Sequence, residues 1–120
     1  MLERPDAAGL LEVARDVLLR ELLPHLPEAK RFEARMVANA VAIARRDMAA
    51  DAAPALARIR GALGVPEAEP DALLRRLSSA IRAGEHDPGS PSGAAVADAL
   101  VELTRLRCSV SNPRALGGVR

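Results

Sequence analysis

The chain has no tryptophan and no tyrosine, and Phe32 is the only aromatic side chain among 120 residues. A core built on aromatic stacking is thereby excluded, and Leu, Val, Ile, Ala and Met must fill it, side chains suited to closely packed helices. Capture of single-stranded nucleic acid on stacked rings is excluded by the same absence. Cysteine is as scarce: Cys108 has no partner for an intrachain disulfide, which fits a reducing compartment, and inside an apolar helical run its thiol reads as a small core group. No apolar run approaches the roughly 18 residues of a membrane span, and the first residues carry Glu3 and Asp6 where a signal peptide needs a basic and then an apolar stretch. A soluble cytoplasmic protein with no membrane partner is expected.

Lysine is nearly missing, since Lys30 is the one exception among 17 basic residues. Ala, Arg, Gly and Pro share GC-rich codons, so the arginine excess reads as genome composition rather than as selection for phosphate. Against 16 acidic residues the net charge is +1, and the doublets Arg45-Arg46 and Arg75-Arg76 read as solvated helix faces. Without a basic stripe, nucleic acid is not an expected partner.

The motifs of common chemistry are missing too. His25 and His86 lie in different loops without carboxylate or cysteine at a metal-ligand spacing, and Glu-x-x-His is absent. Ser78, Ser79, Ser109 and Ser111 have no nearby histidine in sequence, and no Gly-Lys-Ser/Thr follows the glycines. No catalytic residue, metal or cofactor is assigned, and a binding protein is favoured over an enzyme.

What is present is helical periodicity. Phe32 to Met48 holds neither Pro nor Gly, and the spacing predicts a helix from about Glu28 to Ala50. At 100° per residue, Phe32, Met36, Ala40 and Ile43 share one arc, with Val37, Val41, Ala44 and Met48 beside it. So broad an apolar arc predicts a central helix contacted on two sides. Before it, Pro5-Asp6 opens a helix expected to reach about Leu23, with Leu10, Leu11, Ala14, Val17, Leu18 and Leu22 on one face. After it come a weaker helix ending at Gly64, another from Pro70 stopping at Gly84, and a last one from about Ala94 to Val110, ended by Ser-Asn-Pro. Residues 85–93, rich in Gly, Pro and Ser, are expected to form a mobile loop, and the tail from Arg114 to be partly ordered, through Leu116 only. The expected fold is all-α: one domain, a small bundle of about five mostly antiparallel helices.

Six polar residues stand out: Glu21, Arg35, Asn39, Arg46 and Arg107 within helical runs, and Asn112 beyond the last. Arg35, Asn39 and Arg46 follow one ridge of the central helix, and Arg107 falls within the stripe of Val96, Leu100, Leu103 and Val110. Glu21 either reaches out from the last turn of the first helix or is buried against an arginine. Two readings of the set are open: an interhelical network in which Glu21 and Asn39 satisfy arginines, or a pocket in which arginine forks hold an anionic ligand oriented by Asn39.

The runs RPDAAGLLEVARDVL, FEARMVANAVAIARRD, IRAGEHD and VSNPRAL together resemble a bacterial family of small helical proteins known as a domain of unknown function, DUF6285. The family pattern is expected to place a histidine where this chain has Glu33 and an aromatic residue where it has Ala115. Arg35, Asn39, Arg107 and Asn112 match its polar positions. The resemblance implies an accessory protein encoded beside an aminoglycoside-phosphotransferase-like kinase or an acyl-CoA dehydrogenase, with such an enzyme as its protein partner. A non-enzymatic helical interaction module, possible also as a homodimer, is therefore expected. The alternative is a small-molecule binding protein or minor enzyme with a pocket around Arg35, Asn39 and Arg107.

Overall fold

The computed structural model describes residues 4–66 and 69–117. Glu3 and the tail beyond Gly117 lie outside the described residues, as does part of the connection that precedes Pro70. Five α-helices follow one another: α1 Ala7–Val17, α2 Glu28–Ala49, α3 Ala53–Leu63, α4 Pro70–Arg82 and α5 Gly93–Ser111. No strand occurs among the described residues. The all-α fold read from the periodicity is thus the observed one. The chain divides into two compact units, Met1–Ala50 and Asp51–Arg120.

The first unit is an antiparallel hairpin of α1 and α2. Asp6 caps α1, its carboxylate accepting the Gly9 backbone N–H at 2.9 Å. The expected single helix to Leu23 changes register instead. Leu18–Leu22 form a π-helical turn, closed by the Leu23 N–H on the Leu18 carbonyl, before a short 3-10 turn at Leu23–His25. Pro24 supplies the physical reason: it has no N–H to donate, and its ring crowds the carbonyl four residues back. Arg31 secures this turn, its Nε donating to the Leu26 carbonyl at 3.2 Å while Nη1 pairs with Glu28 at 3.0 Å.

Ala34 and Ala38 are the buried side chains of α2, small enough to let the two helix backbones approach closely. Arg15 of α1 reaches across and donates to the Ala38 carbonyl at 3.2 Å, and Glu12 pairs with Arg45 at 3.3 Å. These contacts fix which side of α2 faces α1. Phe32, Met36 and Ile43 project from the opposite side at 100° per residue. Within its unit the central helix is therefore packed on one side, not two.

The second unit has the larger core. Ile59 from α3, Leu73 and Leu77 from α4, and Val96 and Ala99 from α5 are buried together, with Leu56, Leu63, Leu74, Leu100 and Leu103 packed around them. α3 packs against both α4 and α5. Its ends carry the expected chemistry: Asp51 accepts the Ala53 N–H at 3.0 Å, and Gly64 closes the helix at φ +67°. Glu69 caps α4 by accepting from the Asp71 and Ala72 N–H groups, at 3.1 and 2.6 Å.

Between α4 and α5, the loop expected to be mobile is a succession of hydrogen-bonded turns, Asp87 N–H to Gly84, Ser90 to Asp87 and Gly93 to Ser90. Gly93 is required there, because a Cβ would lie 2.7 Å from the Asp87 carbonyl oxygen.

Candidate functional site

Of the six polar residues singled out by pattern, Glu21, Arg35, Asn39 and Arg46 belong to the first unit and Arg107 and Asn112 to the second. Glu21, Arg35 and Asn39 are exposed, and among the described residues no hydrogen bond or ion pair joins them. Glu21 sits in the π-helical turn and reaches outward. Arg35 and Asn39 do share a ridge, along the border of the outward side of α2. Arg46 is half-buried and helps line a polar cleft of about 210 Å³ between α1 and α2, together with Glu12, Arg15, Asp16 and Arg45. Two carboxylates against three guanidinium groups leave that cleft a weak attractor for an anion.

In the second unit Arg107 is exposed, off the packed stripe. The backbone of Asn112 forms a joint. Its N–H donates to the Cys108 carbonyl at 2.9 Å to end α5, and its own carbonyl accepts the Ala115 N–H at 2.9 Å to start a 3-10 turn, Pro113–Leu116.

Two features emerge that no motif had marked. The first is the outer surface of the hairpin. Phe32 is 70% and Met36 53% exposed on that side, and Val37 and Met48, on a flank of α2, are each more than half exposed. Leu10 and Val13 of α1 are similarly open, on the side of α1 turned away from α2. The second unit, by contrast, leaves only Ile81 and Val101 among its large apolar side chains in this state, among the described residues.

The second feature is a groove of about 520 Å³ between α5 and the 3-10 turn. Leu100, Cys108 and Leu116 contribute half-buried side chains, and Thr104 and Arg105 stand at its edge. Ala115, where the family pattern led one to expect an aromatic ring, is part of its wall.

His86 finds an unforeseen partner in Ser92, with Nδ1 2.6 Å from the hydroxyl. The spacing of six residues across a Pro/Gly-rich loop was the available signal. No carboxylate hydrogen-bonds the imidazole among the described residues, so the pair makes no triad. It ties the loop to the first turn of α5. Among the described residues there is also no group of three His, Cys, Asp or Glu side chains placed to hold a metal ion, and no helix long and apolar enough to cross a membrane.

A family model described as Domain of unknown function (DUF6285) matches residues 24–115. The chain belongs to that family. The DUF6285 match runs from the turn before α2 to the 3-10 turn after α5, and so takes in Phe32, the α2 ridge and the α5 groove. No curated protein matches the chain, and no solved structure does.

Proposed function

We propose that this DUF6285 protein is a non-enzymatic interaction module whose first unit presents the outward side of α2 to a protein partner. The observation that carries the reading is a mismatch within the hairpin. It buries only alanines on α2, Ala34 and Ala38, while leaving its one aromatic side chain and its longest apolar ones uncovered.

Full burial of a Val, Met or Phe side chain contributes about 1.5–3 kcal/mol. Phe32 is 70% and Met36 53% exposed, so covering these two would contribute on the order of 3 kcal/mol. Phe32 and Met36 are spaced as successive anchors of a helix laid into a groove. Arg35 and Asn39 border that stripe and are free to meet acidic or carbonyl groups at the rim of a partner.

The family resemblance proposes who the partner is: an aminoglycoside-phosphotransferase-like kinase or an acyl-CoA dehydrogenase-like enzyme, with a second copy of the chain as the competing occupant. Co-expression of the full chain with each enzyme, followed by light scattering of the purified material, tests this. A stoichiometric complex that the Phe32→Glu, Met36→Glu double variant fails to form, with its helical circular dichroism intact, supports the module. Absence of any complex, or a complex that ignores the double variant, refutes it.

A further inference from the structure

α3 has 11 residues and α5 has 19, which at 1.5 Å per residue are lengths of about 16 and 28 Å. The shorter helix cannot cover the longer one. Val96 and Ala99 of α5 meet Ile59 of α3, and Arg58, midway along α3, pairs with Glu102 at 3.8 Å. Beyond that point Asn112 and Pro113 fold the chain back, and Ala115 and Leu116 form a second wall alongside Leu100, Thr104 and Cys108. The result is an apolar trough whose volume of about 520 Å³ falls within the range of small-molecule sites.

The electrostatics of the trough have one sign. Arg105 is its only charged lining residue. It has no ion-pair partner among the described residues, and Glu102, the acid nearest to it along α5, is engaged by Arg58. Thr104 adds a hydroxyl beside it. We propose that this groove binds an amphipathic carboxylate, its apolar chain lying along Leu100, Cys108 and Leu116 and its head group held by the Arg105 guanidinium with the Thr104 hydroxyl. An apolar body with one anion-matching fork at its end is the recognition pattern expected for such a ligand.

Cys108 supplies the readout, because it is the sole thiol of the chain and lies in the trough. The rate of its reaction with N-ethylmaleimide is measured on the full chain with decanoate, below its micelle concentration, and with decanol as the uncharged counterpart. The expected result is a saturable slowing of at least fivefold by decanoate, little slowing by decanol, and loss of the decanoate effect in Arg105→Gln. Arg105 is exposed, so its replacement leaves the fold in place, which circular dichroism checks. An unchanged rate, or slowing that decanol or Arg105→Gln reproduces, overturns the proposal. Decanoate that shifts NMR signals of Phe32 and Met36 instead of Thr104 and Cys108 overturns it as well, since the compound is then coating the exposed hairpin.

Discussion

Replacing Ile59 by alanine and replacing Phe32 by alanine both remove large apolar side chains, yet their costs should differ several-fold. Ile59 is fully buried, between α4 and α5. Truncation removes three carbons, about 2.4 kcal/mol at 0.8 per buried methylene. The cavity left among Leu73, Leu77, Val96 and Ala99 raises this to about 3–4 kcal/mol. For a unit of 70 residues, Asp51–Arg120, the whole stability is roughly 4–10 kcal/mol. Ile59→Ala therefore sits near the edge of folding, and Ile59→Val, at about 1 kcal/mol, gives a second point on the same scale. Phe32, at 70% exposure, should cost less than about 0.5 kcal/mol. The assay is urea denaturation followed by far-ultraviolet circular dichroism, since the chain has no Trp or Tyr to report by fluorescence. The midpoint is compared at unchanged slope. A loss under about 1 kcal/mol for Ile59→Ala, or over about 1.5 for Phe32→Ala, would refute the assignment of core and surface on which the rest depends.

Two glycines should respond in opposite directions. Gly93→Ala brings a Cβ to 2.7 Å from the Asp87 carbonyl and 3.1 Å from the Ser90 hydroxyl, and should destabilise by about 1–3 kcal/mol. Gly61→Ala in α3 meets open space and should stabilise by up to about 1 kcal/mol, both read as denaturation midpoints. The Ala72 N–H first, and the Asp71 N–H second, hold the Glu69 carboxyl below its ordinary value, with Arg75 assisting. A depressed folded-state value stabilises above the unfolded pKa and is lost as pH falls through the folded one. The midpoint difference between the native chain and Glu69→Gln should thus be steady near neutrality and shrink in acid, below the ordinary carboxylate range. A difference that stays constant through that range counts against the cap. Asp6→Ala removes the α1 cap and should lower the stability of the hairpin by about 1 kcal/mol, seen as faster hydrogen exchange at the Gly9 amide.

Much of the fold could be read in advance because punctuation and periodicity agreed. Pro27 and the long Phe32–Met48 run bounded α2 to within a residue, and Pro54, Gly64, Pro70 and Gly84 framed α3 and α4. The π-helical turn at Leu18–Leu22 was not legible, because a leucine-rich run before proline suits a straight helix as well as a widened one. Arg107 misled for a different reason. The packed face of α5 runs through Val96, Ala99 and Leu103, with Leu106 and Val110 half-buried further on, and Arg107 falls beside that face rather than on it. The groove at Arg105 was hidden likewise, since it needs the backbone reversal at Asn112 to bring Ala115 and Leu116 beside the helix. Arg35 and Asn39 were rightly placed on one ridge, but a ridge is a local property, and whether it is lined by a pocket depends on contacts no spacing encodes.

A single tryptophan reports on whether the outward side of α2 meets a partner. Phe32→Trp places the only indole of the chain on the outward side of α2, near its N-terminal end, and its emission and acrylamide quenching are measured on the purified chain and again with the co-expressed enzyme. The expected result is a red-shifted, readily quenched indole in the chain by itself and a blue-shifted, protected one in the complex. An indole already protected in the monomeric chain would contradict it, because the stripe would then have no surface left to offer a partner.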